Sequence, residues 1–468
     1  MKIPVCAVLD IGKTNKKLFL FDENYRIVLE ESEQFPETTD EDGDPCEDVA
    51  LLTDWVIQSV QRVLELEEYE VKAINFSTYG ASLVHVGENG KPVAPLYNYL
   101  KPYPESLKKQ FYDTYGGERE FSRKTASPIL GSLNSGMIIY RLKYEDPDVF
   151  SRIQYSLHLP QYVAFLISGQ YASDITSVGC HTNLWDFDEN AYHLWINQEE
   201  IADKLAPILP GDKVTSRLLN HSERLVGVGL HDSSSALIPY LVSFQEPFVL
   251  ISTGTWCISL NPFNHSPLTD EELQYDCLCY MQYNGKPVKA SRLFAGYEHE
   301  QQIKRLAEHF HKDINYFKTV SFDSALIHRL KSQKTTEGED FEQLSKPPMP
   351  DTIFGHRDLA EFDSYEQAYH QLILDIVSQQ IVSTGLVLKG SNVKRIFIDG
   401  GFGKNPIYMN LLAAAFPEME VYAASVAQAT SLGAALSIHR HWNSKTLPPD
   451  LIDLRFYSSH PASDGFAQ

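Results

Sequence analysis

Two stretches of the chain, VLDIGKTNKKLFLF at 8–21 and VLISTGTWCISLN at 249–261, follow one plan, and this recurrence restricts the fold more than any other feature. Each is an apolar run that reads as a buried strand, then a tight turn holding Gly and Thr, then a second apolar run. Gly12 and Gly254 are 242 residues apart, about half of the 468-residue chain. Two such hairpins at that distance suggest two domains of related plan rather than a short-period solenoid. Chance similarity of two ordinary hairpins is the alternative. The length agrees with two large domains, at roughly 100–200 residues each or somewhat more.

Around the first hairpin the pattern continues as β-β-β-α-β. Val5–Leu9, Leu18–Phe21 and Arg26–Leu29 read as strands, and Glu37–Asp48, with seven acids and no base, reads as a solvated loop. Val56, Val60, Val63 and Leu64 recur at helical spacing, with Thr53 as the expected N-cap. Val71–Phe76 is a strand, and Leu83–Val86 is expected to pair across the Asn-Gly turn at 88–91. Near the other end, a helix through Ala368–Val382 closes at Gly390, Arg395–Ile398 is a strand, and Asp399–Asn405 is a glycine-rich turn. Pro406 then opens a helix that Pro417 stops, Glu420–Ala423 is strand-like, and Ala427–His439 is the last helix. The polar stretch 334–351, with Pro347, Pro348 and Pro350, is expected to be a surface insertion.

Composition narrows the function. Lys+Arg 40 against Asp+Glu 62 gives a net charge of −22, which argues against bulk nucleic-acid binding and against a polybasic membrane role. No run approaches 18 consecutive apolar residues, so no membrane span is expected. The N-terminal apolar run, broken by Pro4 and ended by Asp10, is too short for a signal-peptide core, and a cytoplasmic location is expected. The six cysteines are scattered without zinc-ligand spacing and read as buried thiols in a reducing compartment. The sequons at Asn75, Asn220 and Asn264 read as chance matches.

Gly12-Lys13-Thr14 looks like the end of a P-loop, but position 7 is Ala where that motif needs Gly, and a strand follows where it needs a helix. Dinucleotide fingerprints also fail, with Asp232 and Pro406 at their third glycine positions. No Gly-x-Ser-x-Gly elbow is present. Three small-residue turns remain, at 10–15, 252–255 and 399–405, each after an apolar strand. Such turns present backbone N–H groups and hydroxyls that can ring a polyphosphate, though each taken alone is also an ordinary β-turn. Asp10, at the end of a buried strand, is placed to hold hydrated Mg²⁺. In GLHDSSSA at 229–236, Asp232 is either a general base for phosphoryl transfer or simply the N-cap of the helix that follows. The pairs His309-x-His311 and His439-x-His441 read as surface histidines.

Taken in order, these segments resemble the FGGY sugar kinases of the sugar kinase, Hsp70 and actin superfamily. LDIGKTN at 9–15 looks like the first phosphate loop, STYGASL at 77–83 the sugar-contact segment, and GLHDSSSA the catalytic-base segment. ISTGTW at 251–256 looks like the second phosphate loop, DGGFGKNP at 399–406 the adenosine-side turn, and SLGAAL at 431–436 the closing helix. HTNLWDFD at 181–188 and the His-Asp pair are most similar to the family's rhamnulokinase and L-fuculokinase branches. The chain departs from the usual pattern at Lys13, Asn15 and Ala81-Ser82, and across 292–302.

The resemblance implies an α/β protein of two ribonuclease-H-like domains, 1–245 on the sugar and phosphate side and 246–468 on the nucleotide side, flanking a cleft that closes on ATP and sugar. It implies Asp232 as the base that deprotonates a sugar hydroxyl and Asp10 as the holder of Mg²⁺ through water. Gly12, Lys13, Thr14 and Asn15 would line the γ-phosphate, with Lys17 nearby. Gly254 and Thr255 would cradle the phosphates, Gly400, Gly401 and Asn405 would border the adenosine, and Tyr79, Gly80 and His231 would touch the sugar. The expected reaction is ATP-dependent phosphorylation of a ketose such as L-rhamnulose or L-fuculose. The alternatives are an ATP-binding sugar sensor and a phosphohydrolase that uses water as acceptor. The sequence leaves open which sugar and hydroxyl react, and a homo-oligomer is compatible with it.

Overall fold

The computed structural model describes residues 2–333, 344 and 346–458. The chain forms two compact units. The first comprises Met1–Ser243, Cys279–Pro287 and Ala427–Leu451; the second comprises Phe244–Leu278, Val288–Val426 and the chain from Ile452.

The first unit is built on strand β1 (Ile3–Ile11), whose residues Val5–Leu9 are fully buried. That burial explains its unbroken apolar run: a strand flanked by strands and covered on both faces has no solvent side. β1 pairs antiparallel with β2 (Lys16–Asp22), which pairs antiparallel with β3 (Ile27–Glu33). On its other edge β1 runs parallel to β4 (Tyr69–Thr78). β5 (Val214–Leu219) and β6 (Ser222–Gly227) extend the sheet as an antiparallel pair, with β6 parallel to β4. The two-residue strand β7 (Leu230–His231) also pairs parallel with β4.

Helix α1 (Val49–Glu65) and the helix Leu159–Ser168 cover one face, through Leu52, Val56, Val60, Tyr162 and Val163. On the other face, Asn75 of β4 donates to the carbonyl of Ala434 and to Ser437 Oγ in helix α5 (Ala429–Ser437). Helix α2 (Asp232–Ser243) lies so close to α5 that a Cβ on Gly433 would stand 1.8 Å from the Ser235 carbonyl oxygen.

The second unit repeats the plan. β8 (Phe248–Thr253) and β9 (Cys257–Asn261) form the antiparallel hairpin, and β8 runs parallel to β12 (Arg395–Gly400). The sheet order is β10-β11-β9-β8-β12-β13-β14, with β10 at Cys277–Met281, β11 at Pro287–Leu293, β13 at Glu420–Ser425 and β14 at Asp453–Tyr457. Strand for strand, β3-β2-β1-β4-β6-β5 corresponds to β11-β9-β8-β12-β13-β14, with the same parallel and antiparallel pairings. The hairpin similarity in the sequence therefore marks a repeat of the whole sheet. Helix α3 (Tyr365–Leu388) and helix α4 (Pro406–Ala415) pack on one face with Ile251, Ile396 and Ile398. Phe244, Phe248, Phe263 and Phe397 cluster in the same unit with ring centroids 4.6–6.3 Å apart, Phe244 stacked on Phe397 and the other pairs edge to face. α3 is long and apolar enough to cross a membrane, yet 67% of its most apolar window is buried within the protein.

Several local expectations change. The N-cap of α1 is Asp48, whose carboxylate accepts from Ala50 and Leu51 N–H, so the helix starts four residues before Thr53. The Asn-Gly turn forms, with Gly90 at φ 74°, and Val86 bridges Pro92 across it while Val93 N–H donates to the His85 carbonyl at 2.8 Å; on its other edge Leu83–Val86 pairs with Tyr155–His158. The acidic loop is not simply solvated. It forms a short hairpin, Glu37–Thr39 with Pro45–Glu47, and buried Lys101 binds Asp40, Asp42 and Asp44. A distant lysine is a partner that local charge counting does not reveal.

His439 is half-buried and bonds the Tyr25 hydroxyl at 2.6 Å, so it is not a surface histidine. The last helix is shorter than 427–439, because a separate turn follows at His439–Trp442. Most of the expected insertion at 334–351 lies outside the described residues. All six cysteines are buried and unbridged, and the Asn75 and Asn264 side chains are buried.

Candidate functional site

The register of the first sheet assembles the site. Lys17, Asp10, Ser77 and Leu230 lie side by side on β2, β1, β4 and β7. One row further on are Lys16, Ile11, Thr78 and His231. The chain then leaves the sheet at the 12–15 turn, at Tyr79-Gly80 and at Asp232. Three segments far apart in sequence thus end at one edge because the strands between them are parallel or join by a tight hairpin.

Asp10 Oδ2 accepts from Thr430 Oγ1 at 2.6 Å and Ser431 Oγ at 2.7 Å, at the start of α5. Burial raises its pKa, the two hydroxyls oppose that rise, and the Asp232 charge adds to it. Among the described residues, Asp10 Oδ1 has no protein donor. A carboxylate oxygen free of protein donors, near a second carboxylate, suits a hydrated divalent cation, and Mg²⁺ keeps most of its own waters. The donor set therefore fits Mg²⁺ held through water.

Asp232 opens α2. Its Oδ1 accepts from Ser233 N–H at 2.5 Å and Ser233 Oγ at 3.2 Å, and lies 3.3 Å from His231 Nε2. These contacts leave Oδ2 as the oxygen without a protein donor among the described residues. Crowding by protein pushes the carboxyl up to about 6, although one third of the side chain remains accessible. Asp232 is the first residue inside the helix, and its Oδ1 accepts from the N–H of the adjacent Ser233 rather than from that of a residue two or three further on, so the N-cap reading of Asp232 is not met.

His231 is buried, and desolvation lowers its pKa to about 4, leaving the ring neutral. Its Nε2 also lies 3.3 Å from Cys180 Sγ, its Nδ1 has no hydrogen-bond partner among the described residues, and its main-chain N–H donates to Thr176 Oγ1 at 3.0 Å. The glycines before it have steric causes. A Cβ on Gly227 would stand 2.3 Å from Asn75 Oδ1, and Gly229, at φ 79°, would place one 2.5 Å from the Pro160 carbonyl oxygen.

The 12–15 turn closes through a hydrogen bond from Gly12 N–H to the Asn15 carbonyl at 2.8 Å. Thr14 and Asn15 are exposed, and the Asn15 amide oxygen accepts from Gln34. Lys13 pairs with Glu37 at 3.0 Å and sits about 6 Å from the rings of Tyr79 and Tyr99. Lys17 donates to Gln428 at 3.3 Å while opposing Asp10 across the ladder. The Tyr79 hydroxyl is taken by Glu47 at 2.8 Å. No local sequence signal singles out Lys16, Glu47, Tyr99, Thr176, Cys180, Thr430 or Ser431, which the fold brings to the site. SLGAAL marked the helix beside Thr430, but nothing local ties that helix to Asp10.

In the second unit, Gly254, Gly401 and Asn405 line a cavity of about 590 Å³ with Thr253, Gly296, His299, Phe317, Tyr369 and Phe402. That size is within the range of small-molecule sites. Gly400, at φ 95°, brings the glycine turn within hydrogen-bonding distance of β8: Gly401 N–H donates to the Thr253 carbonyl at 3.0 Å. A Cβ on Gly400 would stand 2.1 Å from that carbonyl oxygen. Asn405 caps α4 through Oδ1 and donates to the Tyr369 hydroxyl at 2.9 Å. Thr255 is exposed, and its carbonyl accepts from Tyr297 N–H. Gly296 was missed. A Cβ there would stand 1.8 Å from the Gly254 carbonyl oxygen.

Comparison with known proteins agrees with this architecture. The pattern of the FGGY family of carbohydrate kinases, N-terminal domain, matches residues 5–237. The carbohydrate kinase FGGY C-terminal domain patterns match 245–322 and 360–438. Rhamnulokinase of Oceanobacillus iheyensis is 22% identical over 284 residues, 57% of this chain and 58% of that protein. The chain thus aligns over little more than half the length of this curated relative. A carbohydrate kinase from Novosphingobium aromaticivorans has the same fold, with a TM-score of 0.79 at 22% identity, covering 98% of this chain and 95% of that one. Xylulose kinase from Lactobacillus acidophilus superposes with a TM-score of 0.77 at 16% identity, over 97% and 94% of the two chains. With both terminal-domain patterns found in sequence on the two units of a repeated sheet, the chain belongs to the FGGY family of carbohydrate kinases.

Proposed function

We propose that the chain is a cytoplasmic ATP-dependent sugar kinase that transfers the γ-phosphate to a hydroxyl of a ketose such as L-rhamnulose or L-fuculose. The observation that carries this reading is Asp232, held through Oδ1 with its pKa pushed up to about 6 and Oδ2 free of protein donors. The carboxylate accepts the proton of the attacking hydroxyl as the new O–P bond forms and the bond to ADP breaks. Neutral His231 lies beside the carboxylate and forms part of the sugar wall with Tyr79 and Gly80. The 12–15 turn and Lys17 face the transferred phosphoryl group. Residues 1–245 then serve sugar and phosphate, while in 246–468 Gly254 and Thr255 hold phosphates and Gly400, Gly401 and Asn405 border the adenosine. Asp10 would hold Mg²⁺, which neutralises phosphate charge when bound.

The test is ADP release from ATP with Mg²⁺ against L-rhamnulose, L-fuculose, D-xylulose, L-ribulose, D-ribulose, glycerol and gluconate, with a no-sugar control. One sugar should stimulate release strongly, and Asp232→Asn should reduce turnover by roughly 10²–10⁴. Turnover near wild type in that variant removes Asp232 as the base. Release without sugar indicates a phosphohydrolase, and ATP binding without release indicates a sensor.

A further inference from the structure

We propose that Lys16 is a positioning residue that turns two backbone N–H groups of the 12–15 turn toward a phosphate and, through Glu47, ties that turn to Tyr79; this rests on the kinase reading above. Lys16 is only 2% exposed, and its ammonium has three acceptors: the Gly12 carbonyl at 3.2 Å, the Lys13 carbonyl at 3.0 Å and Glu47 Oε1 at 2.5 Å. A buried ammonium is costly unless every proton is used, and here each proton has an acceptor.

The consequence lies in the peptide planes. In a trans peptide the C=O and the following N–H point in opposite directions. Drawing the Gly12 and Lys13 carbonyls onto Lys16 therefore turns the N–H groups of Lys13 and Thr14 away from it. Among the described residues neither N–H has a hydrogen-bond partner. Consecutive N–H groups presented in this way form an anion-binding concavity. Lys16 thus contributes no charge directly to the phosphate. It fixes the donors that do.

The same pair extends to the sugar side. Glu47 Oε2 accepts from the Tyr79 hydroxyl at 2.8 Å, and Tyr79 N–H donates to the Ile11 carbonyl at 3.0 Å. The next residue is Gly80, against which His231 packs. A movement of the phosphate turn is thereby transmitted through buried, hydrogen-bonded groups to the sugar wall.

The test is calorimetric binding of Mg²⁺·ADP and of the non-hydrolysable Mg²⁺·AMP-PNP to the full chain. Wild type should bind the triphosphate analogue more tightly. Lys16→Met should reduce that preference about tenfold while leaving ADP affinity unchanged. Lys16→Gln, whose amide still donates, should show an intermediate loss and serves if the Met variant does not fold. Tyr79→Phe keeps the Lys16–Glu47 pair, so it should retain the preference. Because Tyr79 also lines the sugar wall, the tie is read at a saturating concentration of the sugar that stimulates ADP release, where the change in analogue affinity seen in wild type should be lost. An unchanged preference in the Lys16 variants overturns the positioning role. An unchanged sugar response in Tyr79→Phe overturns the tie. Wild type binding neither nucleotide overturns the kinase reading itself, a result distinct from both.

Discussion

Gly80 and His231 share one space: a Cβ on Gly80 would stand 2.4 Å from His231 Nε2. The same nitrogen is 3.3 Å from the Asp232 carboxylate. The backbone at 80 is therefore bare so that a neutral imidazole can lie beside the Asp232 carboxylate. Gly80→Ala should push the ring off the carboxylate, cost about 1–3 kcal/mol of stability and lower kcat/KM more than tenfold. In a His231→Ala background the same substitution should cost little stability, because the colliding atoms are gone. Equal costs in the two backgrounds would place the strain elsewhere.

With Asp232 as the proposed base, its raised pKa should set the acid limb of the pH profile. A general base works only when ionised, and burial holds its proton up to about pH 6. kcat/KM should be level above about pH 7 and fall toward tenfold per unit below about pH 6. His231, lowered to about 4 by desolvation, stays neutral throughout and adds no limb of its own. A profile flat from pH 5 to 8 contradicts this assignment.

The parts of the site legible in the sequence are those that local pattern encodes. Apolar runs gave the strands, and Gly12, Gly254 and Gly400 marked the turns after them. Asp232 stood out behind its glycine-rich entry, but the same local pattern also fits a helix N-cap, so the sequence alone did not decide its role. Lys16, Glu47, Thr430 and Ser431 were not visible, since their roles depend on contacts 31 residues apart for Lys16–Glu47 and 420 for Thr430–Asp10. Lys16 looked like an ordinary strand residue and Glu47 like one of seven solvated acids. Only the buried meeting of the two distinguishes them.

Gly296 illustrates the same limit with a steric cause. A Cβ there would collide with the Gly254 carbonyl oxygen at 1.8 Å, a backbone atom that cannot rotate away. Gly296→Ala should therefore displace the 252–255 turn and raise the KM for ATP about tenfold or more, with the sugar KM little changed. Steady-state kinetics with each substrate varied in turn will show whether the effect falls on the nucleotide alone.

Asp174 gives a stability prediction whose sign is set by burial. Its carboxylate is fully buried; Oδ1 accepts from Thr176 N–H at 2.9 Å and from the Thr176 hydroxyl, and Oδ2 has no hydrogen-bond partner among the described residues. Burial pushes its pKa up to about 7, against roughly 3.9 in the unfolded chain. Below about pH 4 both states hold the proton and the folded state carries no penalty. As pH rises from about 4 to 7, only the unfolded state releases it, so stability falls, and above about 7 the loss is complete. Three pKa units correspond to about 4 kcal/mol at most. Asp174→Asn keeps an oxygen for Thr176 and cannot ionise, so its denaturant midpoint should change less between pH 5 and pH 8 than that of wild type. Asp232 titrates in both proteins and cancels in the comparison. Equal pH dependence of the two midpoints would mean that Asp174 is already ionised in the folded protein at pH 5.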